Sequence, residues 1–244
     1  MDVRQLQKTW DRLARIDPLW SILADPQKKG GRWQLSEFFK TGQEEIAGLM
    51  LYVESLQIKI GHRRALDFGS GIGRLTQPLA GYFDEVHGVD IAPTMIALAN
   101  KYNHQVDKCQ YHLIEKDDLT LFPDDTFDLI YSNLTLQHME KKYCMSYMRE
   151  FLRVLARGGL VIFQLPSEMT SPLLQFANSI LRGPVRALYT GIRYGIFLPR
   201  LEMHGLKRND TVKFLESIGA RVIDIKQDYS AGKGWVGYRY CATK

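Results

Sequence analysis

The sequence predicts an α/β protein in which parallel strands are joined by crossover helices, and three observations carry that reading. Short apolar runs alternate with amphipathic stretches across residues 65–165. The first of these runs passes straight into a turn that holds Gly69, Gly71 and Gly73. Between Lys141 and Leu155 the apolar side chains fall as Tyr143/Cys144, Tyr147/Met148, Phe151/Leu152 and Leu155, the three-and-four spacing of a half-buried helix.

Taken in order, residues 2–57 read as mainly helical, with breaks at Asp17-Pro18, Asp25-Pro26 and Gly30-Gly31 and a long last helix from about Ser36 to Leu56. Four buried strands follow: Ala65–Phe68, Val86–Asp90, Phe127–Ser132 and Leu160–Leu165, with Cys109–Ile114 as a fifth, more polar one. Gly158 and Gly159 are expected to stop the helix that begins near Lys141. Residues 166–208 are an irregular insert punctuated by Pro166, Pro172, Gly183-Pro184 and Pro199. Asn209-Asp210 can cap a helix through Ile218, leading to strand Arg221–Lys226, a glycine turn at Gly232–Gly234 and a last strand Trp235–Ala242.

With 45% hydrophobic and 24% charged residues, a chain of 244 can bury a real core, which excludes a disordered or collagen-like protein. No stretch approaches the roughly 18 consecutive apolar residues of a membrane span. The first twenty residues carry Arg4, Lys8, Arg12 and Arg15 between apolar positions, so no secretory signal is readable and a cytoplasmic location is expected. Cys109, Cys144 and Cys241 lack metal-ligand spacing, so neither a disulfide framework nor a metal site is expected. The net charge of +5 is unevenly spread: residues 65–169 carry −5, whereas 170–208 carry +5. A basic insert beside an acidic core points to a lid, an anionic small acceptor or a membrane surface rather than to DNA or RNA.

The strongest local signal is Ala65-Leu-Asp-Phe-Gly-Ser-Gly-Ile-Gly-Arg-Leu-Thr76. Glycines after a buried strand let a ligand come close to the backbone, and a helix starting there offers amide donors. A nicotinamide-type dinucleotide fingerprint needs a third glycine where this chain has Arg74, and no Gly-Lys-Ser/Thr follows to make a Walker loop. Instead Asp67 stands two residues before the first glycine, giving Asp-x-Gly-x-Gly-x-Gly.

That spacing resembles the first motif of the class I S-adenosylmethionine-dependent methyltransferases, over residues 64–165 by motif and to 244 by strand order. The small-molecule enzymes of the quinone and natural-product type are the most similar. The resemblance implies a Rossmann-like, doubly wound seven-stranded sheet whose last strand is antiparallel, with S-adenosylmethionine as cofactor and S-adenosylhomocysteine as product. It divides a single domain into a helical cap (1–63), a cofactor-binding core (64–165), a lid-like insert (166–208) and a C-terminal helix and hairpin (209–244). Asp67, Gly69, Gly71 and Gly73 then form the cofactor turn, Asp67 either accepting from the cofactor's amino group or bracing the turn.

Asp90, with Ile91 beside it, ends the second strand seventeen residues after Gly73, where a carboxylate can accept both ribose hydroxyl protons; the alternative is a helix cap at Pro93. Asp117, Asp118 and Leu119 resemble the loop that holds adenine, with Glu115 as a competing acid. Asn133 follows the strand at the edge where the family places the methionine part of the cofactor and the acceptor. Amine-methylating nucleic-acid enzymes have Pro-Pro and an aromatic next, whereas this chain reads Asn133-Leu134-Thr135-Leu136, which argues against a nucleic-acid substrate. His138 is the histidine that the motifs place beside methyl transfer, either as a base, with an ordinary pKa of about 6.5, or as a structural hydrogen-bonding group.

Trp33, Glu37, Phe38, Phe39, Thr41 and Gly42 belong to a segment that folds over the cofactor in similar enzymes; its aromatics either close the site or pack on the sheet. Glu202 and His204 are further candidates to face the acceptor. Residues 172–200 interleave apolar side chains with Arg182, Arg186 and Arg193, and a pocket lid, a dimer contact and a membrane-surface helix all fit. Monomer and homodimer stay open. Three functions follow: a methyltransferase of a small organic acceptor, a peripheral-membrane methyltransferase of a quinone or lipid-like acceptor, and a non-catalytic S-adenosylmethionine-binding protein.

Overall fold

The computed structural model describes residues 3–170, 201–232 and 234–244. The central insert residues 171–200, and with them the basic amphipathic stretch, lie outside the described residues.

Three helices come first: α1 (Val3–Ile16), α2 (Pro18–Ile22) and α3 (Leu35–Ser55). Asp17 explains the first interruption, because its carboxylate accepts from the Trp20 N–H at the start of α2. The same carboxylate also accepts from Gly30 and Gly31 N–H at 2.7 and 3.0 Å, which fastens the loop between α2 and α3. The core continues as β1 (Arg64–Phe68), α4 (Thr76–Leu79), β2 (Glu85–Asp90), α5 (Pro93–Lys101), β3 (Cys109–Leu113), β4 (Phe127–Ser132), a 3-10 turn (Leu136–His138) and α6 (Lys141–Val154). It ends with β5 (Leu155–Met169), α7 (Arg208–Ser217), β6 (Arg221–Asp228) and β7 (Trp235–Thr243).

The strands form one seven-stranded sheet in the order β3-β2-β1-β4-β5-β7-β6. The first five are parallel, and β7 runs antiparallel to both neighbours, as expected of the Rossmann-like sheet. Side chains alternate between two cores with the period of two that a pleated strand imposes. Leu66, Ile130, Phe163 and Tyr240 face α6 and α7, whereas Ala65, Leu129, Ile162 and Cys241 face α3 and α4. The strands most legible in the sequence are those buried on both faces.

Three boundaries differ from expectation. Helix α6 ends at Val154 and the chain enters β5 at once, so Gly158 and Gly159 do not stop the helix. They lie in a bulge where β4 and β5 change register between Phe127 and Leu129, with Gly158 at φ +78°. Helix α7 is capped by Lys207 with no side-chain cap bond, and Asn209 and Asp210 fall inside its first turn. After the glycine turn, α4 has only four residues, so the site has no long helix N-terminus.

Phe151 anchors the α6 side, with its ring 4.9 Å from that of Phe68. Phe151→Ala is expected to cost about 3–5 kcal/mol of stability in urea unfolding; a loss within about 0.5 kcal/mol, typical of a surface change, would contradict this packing.

Candidate active site

The order of strands reverses at β1, whose neighbours are β2 on one side and β4 on the other, and open α/β sheets take their ligands at such a point. Gly69, Ser70, Gly71 and Gly73 form the turn that leaves β1. Gly69 and Ser70 N–H both donate to the Val89 carbonyl, at 2.8 and 3.0 Å, and Gly73 N–H donates to Ser70. Gly71 N–H donates to Asp90 Oδ2 at 3.0 Å. These four amides are therefore used inside the chain, and the glycines serve by leaving room. Gly71 has φ +52°, and a Cβ there would stand 2.6 Å from the Ile22 side chain.

A cleft opens over this turn. Of the residues singled out in the sequence, Gly69, Gly71, Asp90, Ile91, Asn133 and His138 line it. Leu6, Trp10 and Ile22 roof it from the first two helices, and Met95, Ile114, Leu134 and Met139 add apolar walls. Trp10 meets the His138 ring edge-on at 5.2 Å. The roof is tied down where Asp11 accepts from the Thr94 N–H at 2.9 Å. These roof residues carry no motif, and in the sequence they belong only to the mainly helical segment 2–57.

Asp90 has one oxygen on Gly71 and the other on the Ala92 N–H at 2.8 Å. Burial raises its pKa to about 6, against the pull of its backbone donors. Ala92 itself caps α5, so the carboxylate orders the loop before the helix and retains lone pairs toward the cleft. Asp67 is fully buried and accepts from Thr76 Oγ1 at 2.6 Å. Burial pushes its pKa to about 7, offset in part by Thr76 and Arg74. It braces the turn from below and does not line the cleft.

The structure does not bring Asp117, Asp118 or Leu119 to the cleft. Asp118 closes on Thr120, and Leu119 is buried with its N–H on Glu150. Arg153 gathers Leu119, Phe122, Asp124 and Glu150 into the same corner, which turns this loop away. Ile114, whose N–H donates to the Asp90 carbonyl, lines the cleft, whereas Leu119 does not. Gly73 also lies off the cleft, against Tyr111.

His138 is held on both ring nitrogens: Nδ1 faces the Glu202 carbonyl at 3.2 Å, and Nε2 faces the Gln137 amide nitrogen at 3.2 Å. A carbonyl only accepts, so Nδ1 carries the hydrogen and Nε2 the lone pair. Burial lowers the pKa to about 4, so the ring is neutral at ordinary pH. Glu202 and His204 thus border the site, His204 through an N–H on the Gln137 carbonyl. Of the cap residues, Trp33, Phe38 and Phe39 pack as an edge-on aromatic chain beneath the roof. His87 and His112, isolated in the sequence, stack with their nitrogens 2.9 Å apart on β2 and β3, away from the cleft.

One further group was not visible locally. Glu45 on α3 accepts from Tyr131 and Asn133 and pairs with Arg74, the residue that stands where a dinucleotide site has glycine.

Residues 66–163 match a family model described as a methyltransferase domain. Over 124 residues the chain is 35% identical to malonyl-[acyl-carrier protein] O-methyltransferase of Halorhodospira halophila, covering 50% of this chain and 40% of that protein. Over 142 residues it is 34% identical to phosphoethanolamine N-methyltransferase 3 of Arabidopsis thaliana, 55% of this chain and 28% of that one. The chain thus spans less than half the length of these relatives. Among solved structures, magnesium protoporphyrin IX methyltransferase of Synechocystis, with bound S-adenosylhomocysteine, superposes over the whole of both chains with a TM-score of 0.68 at 14% identity. Residues 66–163 accordingly match a methyltransferase domain, and the sheet around them has the fold of S-adenosylmethionine-dependent methyltransferases. The cleft suits the cofactor: a backbone turn free of Cβ atoms, a carboxylate at the end of β2, and a buried, unpartnered Asn133 Oδ1 at the end of β4.

The raised pKa of Asp67 has a testable sign. Protonation is favoured in the folded state, so its stabilising contribution is complete below about pH 3.8 and is lost as pH rises through about 7. Asp67→Asn should flatten the dependence of unfolding free energy on pH between 4 and 7; an unchanged slope in urea titrations would contradict the burial argument. Gly71→Ala should weaken nucleoside binding by forcing Ile22 out of the roof, seen as a raised calorimetric Kd.

Proposed function

We propose that the protein transfers the methyl group of S-adenosylmethionine to a small organic acceptor. The observation that carries this reading is the convergence of the glycine turn, Asp90 and Asn133, from the ends of three neighbouring strands, on one apolar-walled cleft. When bound, the cofactor supplies a methyl group already activated on a sulfonium, so the chain's task is alignment and exclusion of water. Asp90 would accept from the ribose hydroxyls, and Ile91 and Ile114 would flank the base. Asp67 and Gly73 act as the frame of the turn, and Asp117, Asp118 and Leu119 as the frame of the neighbouring loop. The relatives named above include O- and N-methyltransferases, so the methylated atom is left open.

His138 and Trp10 line the acceptor side in this reading. The neutral His138 ring has its Nε2 lone pair on Gln137, so it orients the acceptor and takes a proton only if Gln137 releases it. Among the described residues no helix is long and apolar enough to cross a membrane.

Calorimetry should show binding of S-adenosylhomocysteine, and Asp90→Ala should weaken it roughly tenfold to a hundredfold, the worth of charge-assisted hydrogen bonds. Unchanged affinity would sink the ribose assignment. His138→Gln should lower kcat more than cofactor affinity. The wild-type kcat profile should show no titration of His138 between pH 6 and 9, since its pKa lies near 4; a limb between pH 6 and 7 that vanishes in His138→Gln would establish it as a titrating base.

A further inference from the structure

We propose that Glu45 is a positioning residue that locks the Asn133 amide so that Oδ1 faces the cleft as the acceptor for the α-ammonium of the bound cofactor. The inference rests on reading the cleft as a site for S-adenosylmethionine. Glu45 Oε1 lies 2.7 Å from Asn133 Nδ2 and 2.9 Å from the Tyr131 hydroxyl, and Oε2 lies 2.9 Å from Arg74 Nη1. A carboxylate paired with the Arg74 guanidinium offers only acceptor oxygens. The amide nitrogen of Asn133 is therefore committed to Glu45, and the choice between its two orientations is made by chemistry. Oδ1 is left buried with no partner among the described residues. An unmet buried acceptor is destabilising, so a donor is what this atom lacks.

Position identifies the donor. Asp90 and Asn133 end β2 and β4, which are separated only by β1, so they stand about 10 Å apart at ordinary strand spacing. With the ribose on Asp90, the amino-acid arm of the cofactor would reach toward Asn133, and its ammonium would be the donor on that arm. Local construction supports a built device. Gly42, one turn before Glu45 on α3, has no room for a Cβ because the Arg74 carbonyl oxygen occupies the place, so α3 can seat Glu45 close to the turn. Leu134, directly after Asn133, is held at φ +59°, a strained conformation for a side-chain-bearing residue.

The test compares calorimetric binding of S-adenosylhomocysteine with that of methylthioadenosine, which keeps the nucleoside and lacks the amino-acid arm. Glu45→Gln, whose amide can donate or accept and so frees Asn133 to turn over, should weaken S-adenosylhomocysteine about tenfold. It should leave methylthioadenosine unchanged. Glu45→Gln with Asn133→Ala should bind no worse than Asn133→Ala alone, because the first acts through the second. Equal loss for both ligands, or additive losses in the double variant, would overturn the proposal. Glu45→Asp, which draws the carboxylate back from Asn133 by one methylene, carries the same comparison if Glu45→Gln does not fold. A wild-type protein that binds neither nucleoside would instead overturn the cofactor reading itself.

Discussion

The site depends on the pinning of the glycine turn to the end of β2. Two consecutive amides on the Val89 carbonyl and a third on the Asp90 carboxylate hold the backbone flat against the neighbouring strand. That places a stretch without Cβ atoms at the reversal of strand order, where a cleft must open because β2 and β4 diverge to opposite sides of β1. Asp90 has two tasks in this arrangement: it fastens the turn and the start of α5, and its remaining lone pairs face the cleft. Its substitution therefore affects both the shape of the site and its chemistry.

Around that fixed turn the structure spends buried polar groups. Asp67 braces the turn from below through Thr76, and Glu45 braces it from the side through Arg74. Neither is exposed enough to be a surface ion, and burying such groups costs stability unless each is paired. The carboxylates are paired, whereas Ser70 Oγ, Arg74 Nε, Tyr111 Oη and Asn133 Oδ1 are among the buried polar atoms with no partner among the described residues. The roof from α1 and α2 is apolar by contrast, so closure over a ligand excludes water without adding competing donors.

Much of this was legible in the sequence where the signal is local. The strands at 65–68, 86–90 and 127–132 could be read because burial on both faces makes them short runs rich in apolar residues, each with a single Asp. The turn and Asp90 could be read because their spacing along the chain is their spacing in space. The start of β5 could not, since Leu155–Gly159 has a bulge's composition and follows the helix without a linker. That the loop at 117–119 lies off the cleft could not be read, because the residues that hold it there, Arg153 and Glu150, are remote in sequence. Glu45, Ile22 and Trp10 come from segments with no motif. The trace they leave is indirect: Gly42 one turn before Glu45, and Arg74 in the position of an expected glycine.

The most direct test of the account is a crystal structure grown with S-adenosylhomocysteine. Density for the adenosine between Ile91 and Ile114, with both ribose hydroxyls on Asp90 and the amino-acid arm crossing the glycine turn to β4, is the predicted result. Nucleoside density elsewhere on the sheet, or an Asp90 carboxylate bound only to Gly71 and Ala92 while the ligand sits in the cleft, would contradict it.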